Sequence, residues 1–277
     1  MTHNYMRAIS LLLFAILILT SCRSEELIRP GDSLEVAYEK AMMQYNEEEY
    51  SDAARAFETV ISIGRGTDYG QDAQYYLAES YFNSNRYLLA ASEYERYAQY
   101  HPNSPRREEV DFKEALCYYE LSPRYRLDQE YTTRAIESFR LYRTRYPDAE
   151  RADQAADYIS ELRNKLAHRD YNAADFYMRT ERYNSAAIYF GLVIDNYPES
   201  EPWAEQALVR QIESYVLYAE NSVPDKQAER YEKALESYNT YLQLFPQGDN
   251  RGKAEDLFDR AMAGLGEVDD QSVVESN

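Results

Sequence analysis

Tyr87-Leu88-Leu89-Ala90-Ala91-Ser92-Glu93-Tyr94-Glu95-Arg96-Tyr97-Ala98-Gln99-Tyr100-His101-Pro102 is the stretch on which the fold turns. Ala90 has a tyrosine three residues before it and an aromatic four residues after it, and a proline stands eight residues beyond that aromatic. The spacing recurs in Ala53/Phe57, in Ala135/Phe139 with Pro147, in Ala186/Phe190 with Pro198, and in Ala234/Tyr238 with Pro246. Tyr50, Tyr183 and Tyr231 repeat the leading tyrosine. Thr132 takes that place in the third copy, and Gly64-Arg65-Gly66 replaces the closing proline in the first. An alanine and an aromatic four apart share one helix face, so the alanine admits a neighbouring helix and the ring fills the adjoining gap. Proline has no N–H and ends the helix. A helix pair built this way cannot bury its face alone and must stack on the next pair.

Working outward, the preceding helices repeat as well, with Ala41, Ala78 and Ala115 at intervals of 37 residues. The spacing resembles the tetratricopeptide repeat, with its small residue, large aromatic and closing proline. The fold class is therefore predicted to be all-α, a solenoid of about five helix pairs. Nine glycines and nine prolines in 277 residues are too few for many hairpins. Asp32 with Glu35 predicts a capping box at the first helix. Ser104-Pro105 followed by Glu108 and Glu109 predicts another helix start. Gly64–Gly70, Ser122–Asp128 and Asn221–Asp225 read as connections. Between Pro147 and Tyr183 there is neither glycine nor proline. Ala149 to Arg179 can thus run as one linking helix of roughly 45 Å, with Ala155, Ile159, Leu162 and Leu166 as its apolar stripe. Residues 32–147 then hold repeats one to three, 148–266 the long helix and repeats four and five, and 267–277 an acidic tail expected to be disordered.

The N-terminus sets the compartment. Arg7 precedes the unbroken apolar run Leu11 to Leu19, and Leu19-Thr20-Ser21-Cys22 closes it. The run suits a signal peptide over residues 1–21 and is too short to span a bilayer. Its end matches the lipobox pattern, which predicts lipid attachment at Cys22 and an acylated tether over 22–31. The formal net charge is −19. Such a surface argues against nucleic acid, which is bound chiefly through Lys and Arg, and leaves anchoring to the acyl chains. Cys117 is then the one remaining cysteine, and its apolar neighbours predict a buried thiol.

No catalytic apparatus is expected, nor any cofactor or metal. His3, His101 and His168 are not at ligand spacing, and the consecutive Glu47-Glu48-Glu49 point about 100° apart on a helix. The first helices of repeats one to three do carry an aromatic pattern. Tyr38, Tyr75 and Phe112 lie three positions before the marker alanines, and Tyr45, Phe82 and Tyr119 lie four after them. These six are candidates for a peptide groove using apolar anchors, or else for ordinary packing between helices.

The lipobox, the repeats, and the run Arg145-Tyr146-Pro147, Ile159, Leu162, Lys165-Leu166-Ala167, Ala174, Phe176-Tyr177, Tyr183 and Asp195-Asn196-Tyr197-Pro198 together resemble the BamD family of outer membrane assembly lipoproteins. The resemblance covers nearly all the mature chain. It implies a scaffold of the β-barrel assembly complex that faces the periplasm, is held in the outer membrane by Cys22, and binds the BamA-like barrel subunit through C-terminal repeats. Unfolded outer-membrane protein clients are further expected partners. Ile212 departs from the small residue usual in repeat five, and Glu25-Glu26 resembles the acidic tethers of surface-exposed lipoproteins. An envelope scaffold for cell-wall machinery and a glycan-binding surface lipoprotein are the rival readings, the latter poorly served by the single tryptophan, Trp203.

Overall fold

The computed structural model describes residues 27–275, with side chains to residue 268; the expected signal peptide and the expected lipid-attachment residue Cys22 lie outside the described residues. Every described element is a helix: α1 (Leu34–Asn46), α2 (Tyr50–Ile63), α3 (Asp68–Asn83), α4 (Tyr87–Tyr100), α5 (Arg107–Leu121), α6 (Glu130–Arg145), α7 (Ala152–Arg179), α8 (Tyr183–Asn196), α9 (Trp203–Glu220), α10 (Pro224–Leu244) and α11 (Arg251–Glu275). The first ten form the five expected pairs, and α11 follows them. The protein is an all-α stack of tetratricopeptide-type pairs.

The helices gather into two compact units, one ending at Val110 and the other beginning at Asp111. In the first, α1 to α4 each pack on the next, and α1 also touches α3. Its core holds Ala41, Ala53, Ala78 and Ala90, with Phe57 and Tyr94 in the gaps those alanines leave, all fully buried. In the second, α6 to α11 pack in series, with α7 on α9 and α9 on α11 as well. One continuous core includes Ala135, Phe139, Ala155, Leu162, Ala174, Ala186, Phe190, Ile212 and Ala234. Ile212 is fully buried, so the departure at the small-residue position is absorbed by packing.

Tight turns join the helices of a pair, and three of them share one geometry. Glu48, Asn85 and Glu181 have φ of 61°, 59° and 58°. After each, a backbone N–H reaches back to close the helix: Glu49 N to Gln44 O at 2.9 Å, Arg86 N to Tyr81 O at 2.8 Å, and Arg182 N to Tyr177 O at 2.9 Å. This is the Schellman arrangement, which satisfies carbonyls that a helix end leaves unpaired. Glu47-Glu48-Glu49 is therefore a turn between α1 and α2.

Four expectations need correction. The N-cap of α1 is Ser33, whose Oγ accepts from Val36 N at 3.3 Å; Asp32 instead pairs with Lys40 at 2.6 Å. Gly70 belongs to α3, where any Cβ would collide with the Gly64 carbonyl. The long helix starts at Ala152, because residues 146–151 form turns closed by Ala149 N to Tyr146 O at 3.2 Å. Finally, α11 continues over residues 267–275, where no structure was expected. Gly264 does not stop it: that glycine lets the helix lie against the ring of Tyr231, which a Cβ would strike.

Candidate functional site

The six groove candidates separate by depth. In the first unit Tyr38, on α1, is half-buried, its ring 5.1 Å from Tyr69 and 6.3 Å from Phe57. Its hydroxyl donates to Asp72 at 3.4 Å; burial, and then the charge of Asp72, push its pKa up to about 12. Tyr45, also half-buried, packs on Tyr76 at 5.1 Å and Tyr50 at 5.6 Å. Its hydroxyl accepts from Asn83 Nδ2 at 3.2 Å, and burial raises its pKa to about 12. Phe82 is half-buried against Tyr87 at 5.4 Å. Tyr75 is different, at 8% exposed. Its hydroxyl donates to Glu109 at 3.0 Å, and the Arg106 guanidinium lies 4.5 Å from its ring centroid.

In the second unit Phe112 is 5% exposed, with Tyr142 at 5.2 Å and Phe139 at 5.7 Å. Tyr119 is half-buried, 4.5 Å from Tyr158, and its hydroxyl donates to Glu161 at 2.7 Å. Tyr75 and Phe112 are therefore packing residues and present no groove surface. Seven-residue spacing puts both rings of a helix on one side, yet neighbouring helices close over one end of that side. Tyr38, Tyr45, Phe82 and Tyr119 retain partial access.

Polar links between neighbouring repeats and between the two helices of a repeat were not anticipated. Tyr38 to Asp72 and Tyr75 to Glu109 each span 34 residues, and Arg106 pairs with Asp72 at 2.6 Å. In the second unit Arg210 of repeat five reaches Asp175 of repeat four at 2.7 Å, while within single repeats Arg145 and Tyr146 both reach Asp111 and Tyr241 donates to Glu205 at 2.8 Å. The available signal was an acid six positions before each of two marker alanines, Asp72 before Ala78 and Glu109 before Ala115. Burial and neighbouring carboxylates keep such tyrosines protonated, so their hydroxyls serve as donors.

An exposed apolar face on repeat four was also missed. From Ala186 to Ile194, α8 carries no charged residue. Ala186, Ala187, Phe190, Val193 and Ile194 are buried, while Ile188, Tyr189 and Leu192 are 50%, 41% and 45% exposed. Beside them on α7, the Tyr177 ring lies tilted 4.6 Å from that of Tyr189, and Phe176 is 54% exposed. A helix segment apolar all round would be expected to be buried on every side, and here α7 and α9 cover only part of it, so the uncharged run was the legible signal. Cys117 is fully buried, as its apolar neighbours predict. Among the described residues no cluster of His, Cys, Asp or Glu can hold a metal ion, and no helix is long and apolar enough to cross a membrane.

Residues 30–230 match the family described as YfiO, outer membrane lipoprotein. The chain is 26% identical over 234 residues to the putative outer membrane protein assembly factor BamD of Aquifex aeolicus, covering 84% of this chain and 74% of that protein. It is 24% identical over 214 residues to outer membrane protein assembly factor BamD of Vibrio cholerae, covering 73% and 88%. A tetratricopeptide repeat protein of known structure from Parabacteroides merdae aligns over 84% of this chain and all of its own length, at 14% identity and a TM-score of 0.37.

Proposed function

Because the chain belongs to the YfiO family of outer membrane lipoproteins, we propose that it is a non-catalytic scaffold of outer membrane protein assembly. It binds a BamA-like barrel-forming subunit through repeats four and five. In this reading residues 148–266 take that subunit, and residues 32–147 offer unfolded clients the half-buried rings of Tyr38, Tyr45, Phe82 and Tyr119. Acylated Cys22 holds the scaffold to the periplasmic side of the outer membrane.

The observation that carries the subunit-binding part is the exposed face Ile188, Tyr189 and Leu192 beside Phe176 and Tyr177. Contiguous apolar surface rimmed by polar residues marks protein contacts, and large aromatic and aliphatic anchors at the centre of an interface contribute most to affinity. The test is affinity co-purification from detergent-solubilised membranes. Ile188→Asp with Leu192→Asp should remove a large barrel partner from the eluate and leave the melting curve near the parent's, since both side chains face outward. Retention of the barrel subunit at parental yield would overturn the assignment of this face. A parental eluate containing a cell-wall complex and no barrel would overturn the assembly reading itself.

A further inference from the structure

The connection from α5 to α6 and the outer side of α7 enclose a cleft of about 460 Å³ in the second unit. Arg126, Arg169 and Arg179 are among its seven lining residues, and no acid is, on a chain with 49 acidic and 30 basic residues. Leu127 and Ala173 supply apolar wall, and the Leu127 side chain stands 62% exposed. The nearest carboxylates stand behind the arginines, Asp170 on Arg169 and Asp175 on Arg179, and not in the lining itself.

The cleft is pre-formed. Buried Gln129 donates from Nε2 to the carbonyls of Arg124 at 2.9 Å and Leu127 at 2.8 Å. Lys165 ties Ser122 to α7 at 2.9 Å. Tyr125 stacks on His168 at 3.8 Å, and His168 stacks on Trp203 at 4.0 Å with the rings 9° from parallel. Burial, then the charge of Arg126, lower the proton affinity of that histidine. Each arginine is steadied through Nε: Arg126 on the Tyr125 hydroxyl at 2.9 Å, Arg169 on Asp170 at 2.7 Å, Arg179 on Asp175 at 3.1 Å. The terminal nitrogens, the part of the fork that grips a carboxylate, are not the atoms making these contacts.

We propose that this cleft docks a short acidic peptide segment of a partner protein, with carboxylates on Arg126 and Arg169 and an apolar side chain against Leu127 and Ala173. Charge complementarity favours that occupant over a polyanion. A net charge of −19 repels a nucleic acid or an anionic bilayer along its whole length. A peptide with a few carboxylates meets chiefly the charges within a Debye length, about 8–10 Å at physiological salt, and there it meets the three guanidinium groups of the lining, of which Arg126 rests on a neutral hydroxyl and keeps its full charge. The cleft shares no lining residue with the apolar face of α8, so the two surfaces stand or fall separately.

The experiment uses the full acylated chain in non-ionic detergent and a fluorescein-labelled ten-residue peptide carrying three glutamates and one phenylalanine among serines and glycines. Its twin carries an amide for every acid. Fluorescence anisotropy should show saturable binding of the acidic peptide that weakens with salt, and none of the twin. Arg126→Gln with Arg169→Gln should weaken binding about tenfold or more, the loss of at least one charge-assisted contact. Arg55→Gln, on exposed surface of the other unit, should change nothing. Leu127→Glu places a negative charge in the cleft without removing any hydrogen bond, and should abolish binding even if the double variant folds poorly. Equal binding of the twin, parental affinity of Leu127→Glu, or binding to phosphatidylglycerol vesicles with none to the peptide would each overturn the proposal.

Discussion

Glu93 is the residue least at ease in the first unit. Its side chain is 12% exposed, Arg96 lies 3.1 Å from one carboxylate oxygen, and the other has no hydrogen-bond partner. Burial raises its pKa above the ordinary 4.5; Arg96 opposes this, and the charge of Glu58 adds to it. The folded state thus holds this proton more tightly than the unfolded chain does. Stability contributed by the neutral form is fully present below 4.5 and is lost as pH rises through the raised folded value. Glu93→Gln is expected to flatten that fall and raise the melting temperature at neutral pH. Parental melting temperatures across the pH range would mean that Arg96 fully compensates the burial. The quoted stretch contained this feature, since Glu93 lies three residues after Ala90 and four before Tyr97, both fully buried. Its charge makes it read as solvated surface, because chemical type and spacing give opposite answers there. Tyr75 and Phe112 mislead in the reverse sense: their spacing is right for an open face, and only the helices that close over them show otherwise.

At the scale of elements, the second helices were more legible than the first. Ala53, Ala90, Ala135, Ala186 and Ala234 are all fully buried, as the alanine-aromatic spacing predicts. A second helix is held chiefly by its own partner and the next first helix, so one stripe records its contacts. A first helix such as α9 packs on α7, α8, α10 and α11, and no single stripe encodes four neighbours. Ala186 tests the rule. It sits on α8 with no exposure, and Ala186→Leu adds three carbons where the helices of repeat four meet. Overpacking of that kind costs roughly 1–3 kcal/mol. The variant should lower the denaturation midpoint with an unchanged slope. A midpoint equal to the parent's would show that α7 and α8 can separate freely, contrary to their packing. Helix ends were less legible: Ser33 and Asp32 are both good caps, and the choice between them was decided by Lys40, eight residues from Asp32.

For the whole molecule, charge and attachment pull apart. A net charge of −19 gives the protein no help in adhering to anionic lipid, and among the described residues no helix is long and apolar enough to cross a membrane. In the reading proposed here, acyl chains on Cys22 and contacts with the barrel subunit are then the two sources of membrane retention. A single myristoyl-type chain binds bilayers only marginally, so stable anchoring needs more than one chain or a second contact. Both sources are apolar, acyl insertion on one side and the Ile188, Tyr189 and Leu192 face on the other, so a 1 M salt wash, which screens charged contacts within about 3 Å, removes neither. Cys22→Ala, exported by a signal peptide that needs no lipid, should therefore stay with the membrane only partly, through the barrel subunit alone, before and after that wash. Combined with Ile188→Asp and Leu192→Asp, it should be soluble at any salt. The parent should remain bound through the wash. Full retention of Cys22→Ala after that wash would show that protein contacts alone hold the scaffold, and release of the parent would remove the lipid anchor from the proposal.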